Sequence, residues 1–191
     1  MVPAPSQLGP LLPIIADASL RLSATHISFS ELWINREPMM NNNTPADVIA
    51  VSRNHRVHLH ACIETMICVS IGLSSTDLEH IFEDCFHPVE SMSQRDFKSK
   101  LNPKGLWRVD SDYPPEERIQ HHCLAMMKRL EAKVTDITDL DKVATFFLGD
   151  NQIGILDEKG TDTAVPDSLR LTWDEWKEIQ KQIVSLGMGA K

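Results

Sequence analysis

The chain has 191 residues, of which 42% are apolar and 24% charged, with a formal net charge of −8. That balance excludes a disordered tail and gives room for one ordinary domain, with or without a small appendage. It also disfavours a freestanding nucleic-acid binder, whose affinity comes from neutralising phosphates. Dividing the chain does not change this: residues 1–107 hold 8 basic and 11 acidic side chains, and residues 108–191 hold 11 and 16.

Residues 1–16 read as a Pro-rich lead-in, because Pro3, Pro5, Pro10 and Pro13 interrupt the apolar stretch Leu8 to Ile15. The start lacks the basic residues of a secretory signal, and no apolar run approaches the roughly 18 residues a membrane span requires. The expectation is therefore a cytoplasmic protein with no membrane association. Leu20-Arg21-Leu22-Ser23-Ala24-Thr25 alternates as a short strand does. Phe29, Leu32 and Trp33 follow at helical spacing, and Pro38 to Pro45, with Asn41-Asn42-Asn43, reads as a loop.

Ala46 to Ile71 is the longest predicted helix, with an apolar face of Val48, Val51, Val57 or Leu59, Ile63, Met66 and Ile67, and Gly72 placed as its C-terminal cap. Ser74-x-x-Asp77 opens a short helix with Leu78, Ile81 and Phe82 on its apolar side, and Pro88 ends that element. Tyr113-Pro114-Pro115-Glu116-Glu117 begins another helix, since proline and carboxylates suit a first turn. Its inner face is Ile119, Cys123, Met126, Met127, Leu130 and Val134. Thr138-x-x-Asp141 opens the next, carrying Val143, Phe146 and Phe147 and closing at Gly149. Residues 150–171 read as a small hairpin or strand-and-loop element around Ile153, Ile155 and the turn Glu158-Lys159-Gly160. The last helix carries a Thr172-x-x-Glu175 capping box, a Leu171–Trp176 staple, an inner face of Trp176, Ile179, Ile183 and Leu186, and Gly187 after the last turn.

The expected fold class is mainly α. It comprises a Pro-rich lead-in over 1–16, a helical domain over 17–149 with a few short strands, and an α+β strand-turn-helix appendage over 150–191.

The chemistry-bearing residues are sparse. Cys62, Cys68, Cys85 and Cys123 include no Cys-x-x-Cys pair, and three of them fall in helix-like apolar patterns, which suits core packing better than a disulfide framework. His55, His58, His60 and Cys62 cluster, with His58 and Cys62 one helical turn apart, but no second ligand pair follows to complete a structural zinc site. His121-His122 precedes Cys123, yet neighbours on a helix point about 100° apart, so neither imidazole is aimed at the sulfur. The phosphate-binding glycine loops and the Gly-x-Ser-x-Gly elbow do not occur in the sequence. The reading is a protein without a complete catalytic site, a metal or a cofactor, and with no small-molecule substrate identified.

One basic cluster stands out: Arg95, Lys98, Lys100, Lys104 and Arg108, opposed within that stretch by Asp96. It is either a solvated basic loop or a surface for the phosphates of DNA, with Trp107 as a structural anchor beside it.

The same segment, Leu101-Asn102-Pro103-Lys104-Gly105-Leu106-Trp107-Arg108-Val109-Asp110 followed by Ser111-Asp112-Tyr113-Pro114-Pro115-Glu116-Glu117-Arg118, resembles a stretch near the C-terminus of adenine-specific DNA methyltransferases of the fused restriction–modification (type IIG-like) class. Leu20 to Thr25 with Glu31-Leu32-Trp33, Arg53 to Glu64, Ile71 to Ser74 and Asp77 to Phe82 are similar to that family in order, so the resemblance spans about residues 18–131. Two of the family's features are missing, the Asn-Pro-Pro-aromatic motif that holds a flipped adenine and the glycine-rich loop for S-adenosylmethionine. What the resemblance implies is a non-catalytic accessory or C-terminal module of such a system, with DNA or a methyltransferase or restriction subunit as partner. The alternative is a protein–protein adaptor with no nucleic-acid role, for which the methionine-rich helix around Met126-Met127 offers either an adaptable surface or core packing.

Overall fold

The structure is a computed structural model that describes residues 4–40, 43–82, 113–149 and 165–186. The fold is mainly helical, and no strand occurs among the described residues. Among the described residues the α-helices are α1 (Pro5–Leu8), α2 (Leu12–Ser23), α3 (Ser30–Arg36), α4 (Pro45–Val48), α5 (Arg53–Ser70), α6 (Ser75–Phe82), α7 (Ile119–Lys133), α8 (Leu140–Leu148) and α9 (Trp173–Ser185). Short 3-10 turns link several of them. No single described helix is long and apolar enough to cross a membrane.

By contacts the chain forms two compact units, and both are discontinuous in sequence. One comprises 1–15 and 57–154, the other 16–56 and 155–191. Two of the divisions fall inside α2 and α5.

In the first unit the Pro-rich lead-in is helical. Proline at the start of a turn lacks only an N–H that has no helical partner anyway, and Gly9 (φ +47°) takes the left-handed region between α1 and the turn Gly9–Leu11. That turn packs on α8, with Leu8, Leu11 and Ile14 buried. Three prolines therefore punctuate a helical segment instead of unfolding it. Helix α5 closes in a Schellman motif at Gly72 (φ +80°), where Leu73 N donates to Cys68 O (2.9 Å) and Gly72 N to Val69 O (2.9 Å). Ser74 and Asp77 then form the expected box: Ser74 N donates to Asp77 Oδ2 at 2.8 Å, and Asp77 N to Ser74 Oγ at 3.3 Å. Glu131 of α7 accepts from Ser75 N (2.7 Å), setting a carboxylate against the positive end of α6. Leu78 is buried as expected, whereas Ile81 is 54% exposed. The face that α6 turns to α7 is narrower than the sequence suggests.

Helix α7 starts later than its proline and carboxylate signals imply. Pro115–Glu117 form a separate 3-10 turn, and Arg118 is extended (φ −79°, ψ 150°) before Ile119 begins the helix. The Arg118 side chain is fully buried and its Nε donates to Tyr113 O (2.8 Å), closing the loop on itself. Cys123, Met126, Met127, Leu130 and Val134 are buried, so the methionines are core and not an adaptable surface. The N-cap of α8 is Asp139, not Thr138, because the Thr138 hydroxyl and N–H bind Asp136 instead.

In the second unit the predicted strand Leu20–Thr25 is the last turn of α2 and the two residues after it. Its alternation also satisfies the helical period, and Ala24 N donates to Leu20 O (2.8 Å). Arg21 is buried here, which a solvent-facing position in a strand would not be. Its Nε donates to Val48 O (2.9 Å) and its Nη2 lies 3.0 Å from His55 Nε2, which must be neutral to accept. Ala50 N returns a bond to Arg21 O (2.9 Å), and Arg56 Nη1 holds Leu22 O and Ala50 O. This clasp explains why the predicted helix Ala46–Ile71 breaks in two. Ile49 is extended (ψ 135°), Val48, Ile49 and Ala50 are buried, and Ser52 restarts the helix by accepting from His55 N (3.1 Å).

The core of this unit joins Ala24, Trp33, Met40, Val48 and Ile49 to Leu169 and Trp176. Trp33 Nε1 donates to Ala24 O at 3.0 Å. Helix α9 packs on α3 through Trp176, with Ser30 Oγ donating to Gln180 Oε1 and Lys177 Nζ to Glu37 Oε1. Its capping box forms as expected, and Leu171 and Trp176 join the same core. The inner face fades along the helix. Ile179 and Ile183 are half-buried and Leu186 is 71% exposed. The hairpin residues Ile153, Ile155 and Glu158 to Gly160, and Gly187, lie outside the described residues.

Candidate functional site

The basic residues Arg95, Lys98, Lys100, Lys104 and Arg108, and the anchor Trp107, fall between Phe82 and Tyr113, outside the described residues. The histidine cluster lies within them and is taken up by local structure. His55 is part of the Arg21 clasp, and His58 Nε2 sits 3.7 Å from Cys62 Sγ one turn along α5. Among the described residues no group of three or more His, Cys, Asp or Glu side chains is arranged to hold a metal. The His121 and His122 rings meet edge to face, with centroids 6.0 Å apart, while the Cys123 sulfur faces Thr65 of α5.

What the fold does bring together is a pair of thiols 55 residues apart in sequence. Cys68 on α5 and Cys123 on α7 line one small cavity with Glu64, Phe82, Ile119 and Gln120. The neighbouring Cys123 thiol, through hydrogen bonding, holds Cys68 below the usual thiol range, against burial and the nearby Glu64 charge, which push it up. The same interaction, together with burial, pushes Cys123 up. Burial also raises Glu64. Thr65 Oγ1 lies 3.8 Å from Cys123 Sγ and 3.4 Å from its carbonyl oxygen.

The amide of Gln120, only 1% exposed, lines this cavity with neither Nε2 nor Oε1 partnered. Leaving such a group unmatched costs about 1–3 kcal/mol. The sequence places both cysteines correctly in the core, but it carries no sign that they meet.

Two open grooves also lie among the described residues. In the first unit, a groove of about 520 Å³ runs between the end of α7 and α8, lined by Lys133, Val134, Thr135, Lys142, Thr145, Phe146 and Gly149. In the second, one of about 380 Å³ lies between α2 and α3. Its floor is Ala16, Ser19, Leu20, Ser23 and Ala24, which share one face of α2 at helical spacing, and its wall is Phe29, Leu32 and Arg36. Leu32 is 51% and Phe29 38% exposed along this wall. The strand reading of residues 20–25 hid that face, because it is coherent only at a period of 3.6. Comparisons with protein-family models, with curated proteins and with solved structures give no match to this chain.

Proposed function

We propose that the chain is a non-catalytic helical adaptor of the cytoplasm that binds another protein through the groove between α2 and α3. The observation that carries this reading is the pairing of a floor formed around Leu20 by the small side chains of Ala16, Ser19, Ser23 and Ala24 with the exposed apolar side chains of Phe29 and Leu32. Small residues let a second backbone approach closely, and large apolar ones at the rim supply the buried area that drives association. The occupant is a partner helix with an apolar stripe, and the net charge of −8 favours basic flanks on it.

The test places a photo-cross-linking residue at Leu32 in the full chain and compares it with the same chain carrying Ser19→Trp, which fills the floor. The expected result is one cross-linked protein, identified by mass spectrometry as helical and basic around its contact, lost in the Ser19→Trp chain. Cross-linking that survives Ser19→Trp, or a cross-link only between copies of this chain, overturns the reading.

A second reading rests on the basic cluster at 95–108 and on the resemblance to type IIG-like methyltransferases. In it the module joins a methyltransferase or restriction subunit and contacts DNA phosphates. A gel-shift titration across salt tests it: no binding at low salt, or no loss when Lys98, Lys100 and Lys104 become Glu, removes the DNA role.

A further inference from the structure

We propose that Cys68 and Cys123 form a peroxide-responsive thiol pair, in which Cys68 is oxidised first and Cys123 resolves it into a disulfide joining α5 to α7. The adaptor reading does not use these residues. Three features converge on the same cavity. Two thiols from different helices line it. A buried amide with no partner at either end, Gln120, lines it too. Its volume, about 20 Å³, holds one water-sized oxygen and little more.

The oxygen of a sulfenic acid on Cys68 fits that description. Its hydroxyl donates to Gln120 Oε1 and its oxygen accepts from Gln120 Nε2, so the group left unmatched in the reduced protein is satisfied in the oxidised one. The asymmetry of the thiols sets the order. Cys68 is half-buried and held below the usual thiol range, so it is the better nucleophile, while Cys123 is buried and keeps its proton.

In the first step the Cys68 thiolate attacks one oxygen of hydrogen peroxide. The S–O bond forms as the O–O bond breaks, sulfur gives up two electrons, and the departing hydroxide takes a proton to leave as water. That proton is the one Cys68 gave up on ionising, and Glu64, lining the same cavity, is placed to relay it. In the second step the Cys123 sulfur attacks the Cys68 sulfur. The S–S bond forms, the S–O bond breaks, and the hydroxyl leaves as water with the proton of Cys123.

The experiment treats the full chain with graded hydrogen peroxide and maps cysteine states by peptide mass spectrometry with a sulfenic-acid trap. The expected product is the Cys68–Cys123 disulfide. In Cys123→Ser the trap labels Cys68, and in Cys68→Ser it does not label Cys123. Gln120→Leu slows Cys68 oxidation about tenfold, the worth of one ordinary hydrogen bond. Circular dichroism checks each fold, and Cys123→Ala replaces the serine variant if a buried hydroxyl unfolds it. Oxidation confined to Cys62 or Cys85, or an unlabelled Cys68 in the folded Cys123 variant, overturns the proposal. So does an unchanged rate in Gln120→Leu.

Discussion

Replacing Arg21 by Met should destabilise the protein through the second unit. Arg21 is 4% exposed, and its guanidinium satisfies two groups of the chain, Val48 O at 2.9 Å and His55 Nε2 at 3.0 Å. Its approach to Asp17 is long, 3.9 Å, and Asp17 is better held by Arg36 at 3.1 Å, so that pair adds little. Hydrogen bonds from a charged donor contribute about 1.5–3 kcal/mol each. Against their loss stands the relief of no longer burying a charge. The net destabilisation expected is about 2–4 kcal/mol. With a urea slope of about 2 kcal/mol per molar, that lowers the midpoint by roughly 1–2 M.

Tryptophan fluorescence reads the change directly in a Trp107→Phe background. The remaining tryptophans, Trp33, Trp173 and Trp176, all belong to or pack on the core of this unit. Arg21→Lys keeps the charge but not the fork, so its ammonium reaches one acceptor and about half the loss returns. Arg170→Met, which removes exposed contacts alone, a 3.6 Å ion pair with Asp167 and a 3.2 Å bond to Val165 O, shifts the midpoint far less. An Arg21→Met midpoint equal to that of the parent would refute the clasp as the element that pins α2 to the corner between α4 and α5.

Two further outcomes test the helix ends. Gly72→Ala forces an alanine to φ +80° with open space around its Cβ, so the cost is backbone strain of about 1–2 kcal/mol, measurable by thermal unfolding. At the start of α9, hydrogen bonds from the Thr172 backbone N–H and hydroxyl hold the Glu175 carboxyl below its ordinary value. A depressed carboxylate contributes stability above its unfolded pKa and loses it as pH falls through the folded one. The protection factor of the Thr172 amide, which donates to Glu175, should therefore be largest near neutrality and fall in acid below the ordinary carboxylate range. Glu175→Gln should flatten that acid response.

The sequence by itself determined the local punctuation of this protein. Glycine at the end of α5, serine and aspartate at the start of α6, and threonine and glutamate at the start of α9 act through backbone groups a few residues away. Their patterns are therefore complete within a short window. The mainly helical class and the buried faces of α7 and α8 follow from the 3.6-residue period in the same way. Residues whose partners are distant in sequence were decided by the tertiary structure alone. Arg21 looks like a solvent-facing residue until the carbonyl of Val48 and the ring of His55, 27 and 34 residues away, close on it. That closure turned an alternating segment into the end of a helix and broke one long helix into two. The thiol pair has the same origin, since Cys68 and Cys123 each fit a core pattern and only the packing of α5 and α7 makes them neighbours. The small-residue face of α2 became a groove only once α3 stood beside it with Leu32 exposed. Local hydrogen bonds can be read from spacing, but burial and side-chain proximity are properties of the folded chain.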